Sequence, residues 1–256
     1  MKPWAGVGEA YAASYASLCE GTGDALAATL GSGEGRRLLD VGSGTGTLAA
    51  RFAIEGWSVT ASDPEPTMRA VAEREHPGVR FVDGALPDLP FPDHDFEAVT
   101  ANFVLNHVAD PRASARGMAR VAMPGSLLAA TIWLESPSWF WVDVSARAGL
   151  TPSAGERLPA DKEFERTPAG FGRMLADGGW VATDVAELSW TWHVAPAALW
   201  ASAEGGVASA GLFYRGLDES DRRRFRAAFD ELVVEHETDG MIALEHTAAV
   251  AIGRAP

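Results

Sequence analysis

The chain has a single cysteine, Cys19, which excludes an internal disulfide and any zinc site built from a cysteine cluster. Its sequence neighbours carry no activating base, so the thiol reads as a small buried hydrophobe rather than a nucleophile. No apolar run reaches the ~18 residues that a membrane-spanning helix needs; the longest, at 126–134, is half that. The opening residues contain no apolar leader core, and a cytoplasmic protein is the expectation. Positive charge is scarce as well. The 35 acidic against 21 basic side chains leave a formal charge of −14, which repels phosphate backbones and argues against a nucleic-acid substrate. The basic triplet Arg222-Arg223-Arg224 sits among Asp218, Glu219, Asp221, Glu231 and Glu235 and reads as a solvated helix face. What is present is 47% hydrophobic residues over 256 positions, enough for a sizeable core without covalent staples. A protein acting on a small molecule is the expectation.

Residues 37–41 carry Leu38, Leu39 and Val41 between glycine clusters and read as a buried strand. At 47–55, Leu48, Ala49 and Phe52 recur at helical spacing, and Gly56 ends the helix. A strand at 57–62 is followed by a helix opened by Pro66, with Met68, Val71 and Ala72 on one face. Strands at 79–82 and 97–101, a helix at 111–123 closed by Pro124-Gly125, and a strand at 126–133 complete the first half. Strands alternating with helices specify parallel βαβ units in a doubly wound sheet.

Beyond Trp133 the rhythm changes. Residues 134–165 show no clean period, 167–178 read as a helix, 181–193 as a strand and 195–216 as one helical segment. An amphipathic helix at 218–236 carries Phe225, Phe229, Leu232 and Val233, and 241–252 reads as a last strand. The two late strands form an antiparallel pair at one sheet edge. The segments 134–165 and 195–216 then lie over the carboxyl ends of the strands, where open α/β sheets bind ligands.

The most informative stretch is Asp40-Val41-Gly42-Ser43-Gly44-Thr45-Gly46, a strand running through a glycine turn into a helix. A nicotinamide-binding turn needs GxGxxG, but its third glycine position is Thr47 here. No Gly-Lys-Ser/Thr follows, so a P-loop is excluded too. Asp63, at the end of the second strand, is placed to accept both hydroxyls of a ribose, or to cap the helix that begins near Pro66.

The Asp-x-Gly-x-Gly-x-Gly turn with its second-strand acid resembles the class I S-adenosylmethionine-dependent methyltransferases. The nearest likeness is to the small-molecule branch with its ubiquinone/menaquinone-type and natural-product enzymes. Asp63-Pro64-Glu65-Pro66-Thr67-Met68, Leu89-Pro90-Phe91 and 101–108 before Asp110-Pro111 support it. The resemblance covers 36–133 strongly and the remainder only in element order.

It implies an α/β fold: a single doubly wound, seven-stranded, mostly parallel Rossmann-like sheet with an antiparallel edge strand and a helical lid. One domain, 1–256, would comprise an N-terminal helical cap (1–35), a cofactor-binding half (36–133) and lid insertions at 134–165 and 195–216. S-adenosylmethionine would be the cofactor and S-adenosylhomocysteine its product. By the resemblance, Asp40, Gly42 and Gly44 shape the pocket for the methionine part, Asp63 holds the ribose, and Ser43, Gly46 and Pro64 also belong to the cofactor site. Met68 lies against the adenine, and Gly84, Ala85 and Leu86 flank its edge. Many members have an aspartate where Ala85 stands, which leaves Asp83 or a backbone carbonyl to meet the adenine amino group. Asn102 and Phe103 would meet the methionine amino group and the transferring methyl, and Tyr11 and Tyr15 would fold over the cofactor.

Methyl transfer needs alignment and desolvation more than a triad. A general base assists where the acceptor is a hydroxyl or protonated amine. His107, after the fourth strand, and His193, at the end of the sixth, are the candidates, each with a structural role as its alternative. His236 and His246 are expected away from the site, and His76 and His94 fall in loops. No metal is expected, because no histidine pair has ligand spacing with a third ligand. Trp133, Trp139 and Trp141 follow the fifth strand closely and are candidates to line an aromatic or apolar acceptor pocket, with core packing as the alternative. Trp190 and Trp192 share a face of the sixth strand. Methyl transfer to a small organic acceptor is the leading expectation. A peptide or protein methyltransferase, and a non-methylating enzyme of the same fold, are the alternatives. A homodimer is compatible with the apolar 195–216 segment.

Overall fold

The computed structural model describes residues 4–135, 138–152 and 158–256. The parts of the expected cap and first insertion at 1–3, 136–137 and 153–157 lie outside the described residues. Short helices α1 (Gly8–Ala12), α2 (Tyr15–Cys19) and α3 (Gly23–Leu30) lead into β1 (Arg37–Val41), α4 (Thr47–Ile54), β2 (Ser58–Ser62), α5 (Pro66–Glu75) and β3 (Arg80–Val82). Then come β4 (Phe96–Ala101), α6 (Pro111–Val121), β5 (Ala122–Trp133), α7 (Trp139–Arg147), α8 (Pro168–Asp177) and β6 (Val181–Val194). The chain continues through α9 (Pro196–Glu204), α10 (Ala208–Gly216), α11 (Glu219–His236), β7 (Glu237–Thr238) and β8 (Met241–Arg254).

Local chemistry sets the helix starts. Proline occupies the first turn of α5, α6 and α8, where its missing N–H is not needed. The capping side chains are Glu65, accepting from Thr67 N–H, Asp110, from Ala113 N–H, and Thr167, from Gly170 N–H.

The strands lie in the order β3-β2-β1-β4-β5-β8-β6, with β7 paired only to β8. The first five of these are mutually parallel, and β8 runs antiparallel to both of its neighbours. Strand order reverses between β1 and β4, which opens a crevice at their carboxyl ends. Both sheet faces are covered, as parallel strands require. Leu38 of β1 packs with Leu26, Leu48 and Phe52 on one face. Leu39 and Val41 pack with Met118, Phe171 and Met174 on the other.

β8 pairs with β5 only from Ala248 onward, whereas its pairing with β6 begins at Ile242. Its first residues therefore project past the carboxyl end of β5, with the second half of β6 alongside. On this projection sits a third apolar layer, in which Phe140 and Trp141 of α7, Leu199 and Trp200 of α9, and Phe225 and Phe229 of α11 pack with Tyr15 and Leu18 of α2.

Three local expectations need correction. α6 ends at Val121, and Pro124-Gly125 lies inside β5 rather than after a helix. The β4–β5 register shifts there, from Phe96↔Ala122 to Ala98↔Leu127, so Pro124 sits in an exposed irregularity where no ladder N–H is required. The segment 134–165 contains α7, whose consecutive Trp139, Phe140 and Trp141 conceal a helical period behind an unbroken aromatic run. The segment 195–216 is two helices, parted at Gly205-Gly206, where Gly206 adopts φ +76°.

Candidate functional site

β1 delivers the chain into a turn in which Gly42, Gly44 and Gly46 all have positive φ. Two of these positions also need glycine for space. A Cβ on Gly42 would overlap Val104, and one on Gly46 would come within 2.7 Å of the Phe81 ring. The turn is tied to the end of β2: the Gly42 and Ser43 N–H groups donate to the Ser62 carbonyl at 2.7 and 3.0 Å. Gly44 N–H donates to the Asp63 carboxylate at 2.9 Å, and Glu65 N–H donates to its other oxygen at 2.8 Å. Asp63 is 8% exposed, and burial raises its pKa against the opposing pull of those two N–H donors.

Asp40 is more deeply placed. Its carboxylate accepts from the Thr100 hydroxyl at 2.9 Å. Burial pushes its pKa up to about 7, with the Thr100 hydrogen bond opposing and the charge of Asp63 adding. Asp40, Gly42, Ser43 and Asn102 line a cavity of about 30 Å³ together with Tyr11, Ala16, Cys19, Glu20, Thr45, Thr47 and Leu48. The hydroxyls of Ser43 and Ser62 are buried without a partner.

Residues 4–23 strap across this crevice. Gly6 N–H donates to Glu65 Oε1, Gly8 N–H to Thr67 Oγ1, and Glu9 pairs with Arg74. Gly8 lies so close to the Thr67 carbonyl that a Cβ would overlap it. The Tyr11 ring lies over Gly44, where a Cβ would touch it at 3.4 Å. Further along, the Tyr15 hydroxyl accepts from Trp141 Nε1 at 3.0 Å, and Ser17 Oγ accepts from Trp192 Nε1 at 3.1 Å. Asn102 closes the strap onto β4. Its amide donates to the Cys19 carbonyl at 2.9 Å, and its oxygen accepts from Thr22 and Thr131 at 2.7 and 2.6 Å. Cys19 is half-buried, packs against the aromatic layer as a small hydrophobe and also lines the cavity, and burial lifts its thiol pKa to about 11.

Met68 is buried in the same cluster as Val7 of the strap. Pro64 is exposed beside Asp63; Gly84 is buried, Ala85 exposed and Leu86 half-buried in the loop after β3. Asp83 pairs with Arg69 at 3.5 Å, and Arg69 also donates to the Asp63 carbonyl.

Phe103 follows Asn102 with a left-handed backbone, φ +55°, held by its N–H to Thr131 Oγ1 at 2.9 Å. Its ring stacks flat on Trp133, centroids 3.7 Å apart and planes 8° off parallel. Trp190 and His246 complete the group around Trp133, at 5.6 and 5.7 Å. The three tryptophans after β5 thus separate. Trp133 joins Phe103. Trp141 is a core residue, stacked on Phe225 and Phe229, because α7 turns its indole into α11. Trp139 is half-buried and donates to the Glu245 carbonyl at 3.4 Å.

The histidines are also redistributed. His107 is exposed, with its ring edge on Trp4 at 5.1 Å. His193 is exposed and lies on the face of β6 opposite Trp190 and Trp192. His246, expected to be remote, instead sits against Trp133, because β8 inserts between β5 and β6 and carries it past the end of β5. The alternation of buried Ile242, Leu244, His246 and Ala248 is the sequence signal that marks its inward phase. Cys19, Glu20 and Thr22 reach the crevice through long-range packing that leaves no local signature. Among the described residues no group of three or more His, Cys, Asp or Glu side chains is placed to hold a metal ion, and no helix is long and apolar enough to cross a membrane.

Residues 39–130 match the family described as "Methyltransferase domain". The demethylmenaquinone methyltransferase of Renibacterium salmoninarum is 31% identical over 163 residues, covering 59% of this chain and 69% of that protein. The enzyme of the same name from Beutenbergia cavernae is 38% identical over 164 residues, covering 59% and 68%. Among solved structures, the YcgJ protein of Bacillus subtilis superposes with a TM-score of 0.56 at 19% identity, covering 91% of this chain and 97% of that one.

Proposed function

Because the chain belongs to the class I S-adenosylmethionine-dependent methyltransferases that act on small molecules, we propose that it methylates an aromatic or otherwise apolar organic acceptor and that the crevice at the ends of β1 and β4 holds the cofactor. The observation that carries this is Asp63 bound to the glycine turn at the point where strand order reverses, beside a cavity lined by Asp40, Ser43 and Asn102. The residues fit the group. The orphaned hydroxyls of Ser43 and Ser62 offer hydrogen bonds to a polar ligand, and Asp63 retains lone pairs for ribose hydroxyls. Asp40, poised near neutrality, gains from a cationic amino-acid end. When bound, S-adenosylmethionine supplies an electrophilic methyl on a sulfonium. The protein's part is to position donor and acceptor in line and exclude water.

The described cavity of about 30 Å³ lies between the strap and the glycine turn, and the strap borders it through Tyr11, Ala16, Cys19 and Glu20. Residues 4–23, held to α5 by Glu65, Thr67 and Arg74 and to β4 by Asn102, form the cover on the cofactor side, and α7, α9 and α10 roof the acceptor side. The acceptor lies against Phe103 and Trp133. The charge of −14 supports a small molecule over a nucleic acid as the acceptor.

Calorimetry with S-adenosylhomocysteine tests the cofactor assignment. Wild type binds, and Asp63→Ala binds at least tenfold more weakly. Equal binding by both proteins, or by neither, overturns it. Formation of S-adenosylhomocysteine on addition of aromatic acceptors tests the reaction.

A further inference from the structure

Within the aromatic group beyond β5, two ring nitrogens find no partner. His246 is 4% exposed and its Nε2 is buried without a hydrogen bond; the Trp190 Nε1 is buried and unpaired as well. Nearby indoles are satisfied, Trp141 by Tyr15, Trp192 by Ser17 and Trp139 by Glu245. Of the indoles in this layer Trp200, beneath α11, shares the deficit. Burying a polar atom unpaired costs free energy, so native proteins do it where something else completes the bond.

The position of His246 is specific. It faces Trp190 across the β6–β8 ladder, with ring centroids 5.9 Å apart. Trp133 packs edge-on at 5.7 Å and Trp192 lies tilted at 6.2 Å. Trp133 in turn stacks on Phe103, whose neighbour Asn102 lines the cavity at the glycine turn. An unbroken run of contacts thus leads from that cavity through Phe103 and Trp133 to His246. Gly21 of the strap covers the Trp190 indole so closely that a Cβ would overlap Nε1. The segment that covers the cofactor crevice therefore also covers the Trp190 indole of this group.

We propose that His246 recognises a ring hydroxyl on the aromatic acceptor, its Nε2 hydrogen-bonded to that hydroxyl while Phe103, Trp133 and Trp190 hold the ring. This rests on the reading of the crevice as a methyl-donor site. Burial lowers the His246 pKa to about 4, so at neutral pH the imidazole is uncharged and one of its nitrogens accepts a hydrogen bond. A hydroxyl donates to it; a bare hydrocarbon ring does not, and leaves the nitrogen as it is now. His246 is thus a specificity residue for hydroxylated over unsubstituted rings.

The test uses 1-naphthol and naphthalene as probes, with binding measured by calorimetry on the full chain saturated with S-adenosylhomocysteine. Wild type binds 1-naphthol about tenfold more tightly than naphthalene, the preference that one net hydrogen bond confers. His246→Leu reduces that ratio to near one, with naphthalene and S-adenosylhomocysteine affinities within twofold of wild type. His246→Gln, which keeps a polar group near Nε2, restores part of the preference and substitutes for the Leu variant if that fails to fold. No preference in wild type, no binding of either probe, or an unchanged ratio in the variants overturns the proposal. Failure of S-adenosylhomocysteine to bind wild type identifies an error in the cofactor reading instead.

Discussion

Asp63 Oδ2 accepts the Gly44 N–H at 2.9 Å, so the acid at the end of β2 is also a strut for the glycine turn beyond β1. Its role in the site and its role in the fold are therefore inseparable at this position. Asp63→Ala leaves the partly buried Gly44 and Glu65 N–H groups without their acceptor, a loss of about 1 kcal/mol for each. Thermal unfolding of the unliganded variant should reveal that loss, and S-adenosylhomocysteine affinity should fall about 10–100-fold, as expected for hydrogen bonds to a charged acceptor. Asp63→Asn keeps one accepting oxygen and should be intermediate in both measurements.

Asp40 gives a pH signature. Its pKa is raised to about 7 from the ordinary 3.8, so its favourable contribution to the fold is complete below about pH 4 and is lost as pH rises through 7. Asp40→Asn, which does not titrate, should be more stable than wild type at pH 8. The gap should open between about pH 4 and 7, at up to about 1.4 kcal/mol per pH unit, and stay level above. Binding runs the other way: wild-type affinity for S-adenosylhomocysteine should weaken as pH drops below 7, and the Asn variant should lose that dependence. Denaturant titrations and calorimetry at matched pH values check both halves.

The strap can be loosened at its contact with α5. Gly8→Val places a side chain where α1 meets the Thr67 carbonyl, forcing α1 off α5. Limited proteolysis should then cut within residues 4–23 at least tenfold faster than in wild type. S-adenosylhomocysteine should dissociate faster in stopped flow. A cleavage rate equal to wild type would show that the strap is not held by this contact.

Trp133 and Trp141 should respond differently to truncation. Trp141→Ala empties a site stacked between Phe225 and Phe229 and should cost about 3–5 kcal/mol in stability. It should leave the KM for an acceptor of the folded fraction near the wild-type value. Trp133→Phe keeps most of the packing and should raise acceptor KM several-fold with little change in melting. Parallel unfolding and steady-state measurements separate the two.

Local features were legible in the sequence and long-range ones were not. β1, the glycine turn, α4 and the Pro66 helix follow from residues adjacent in the chain, so their start and stop chemistry marked them closely. α7 was hidden because nearly every side chain in its first turn is apolar, which erases the polar face that reveals a helical period. Trp141 looked like a pocket residue because position along the chain says nothing of which way a helix faces. The remoteness expected of His246 failed for a topological reason. Its place beside Trp133 depends on β8 crossing back between β5 and β6, a pairing between positions more than a hundred residues apart. At the site, Asp40, Ser43 and Asn102 were named in advance, whereas Cys19, Glu20 and Thr22 depend on where the strap docks.

The wedged position of β8 also bears on the order of synthesis. While residues up to 240 are leaving the ribosome, β5 presents one unpaired backbone edge and β6 has no strand partner, until the next fourteen residues join the two. The nascent polypeptide passes through an interval with unpaired strand edges and an incomplete aromatic cluster, a state open to wrong partners. The finished enzyme is sealed last by the strand that carries His246.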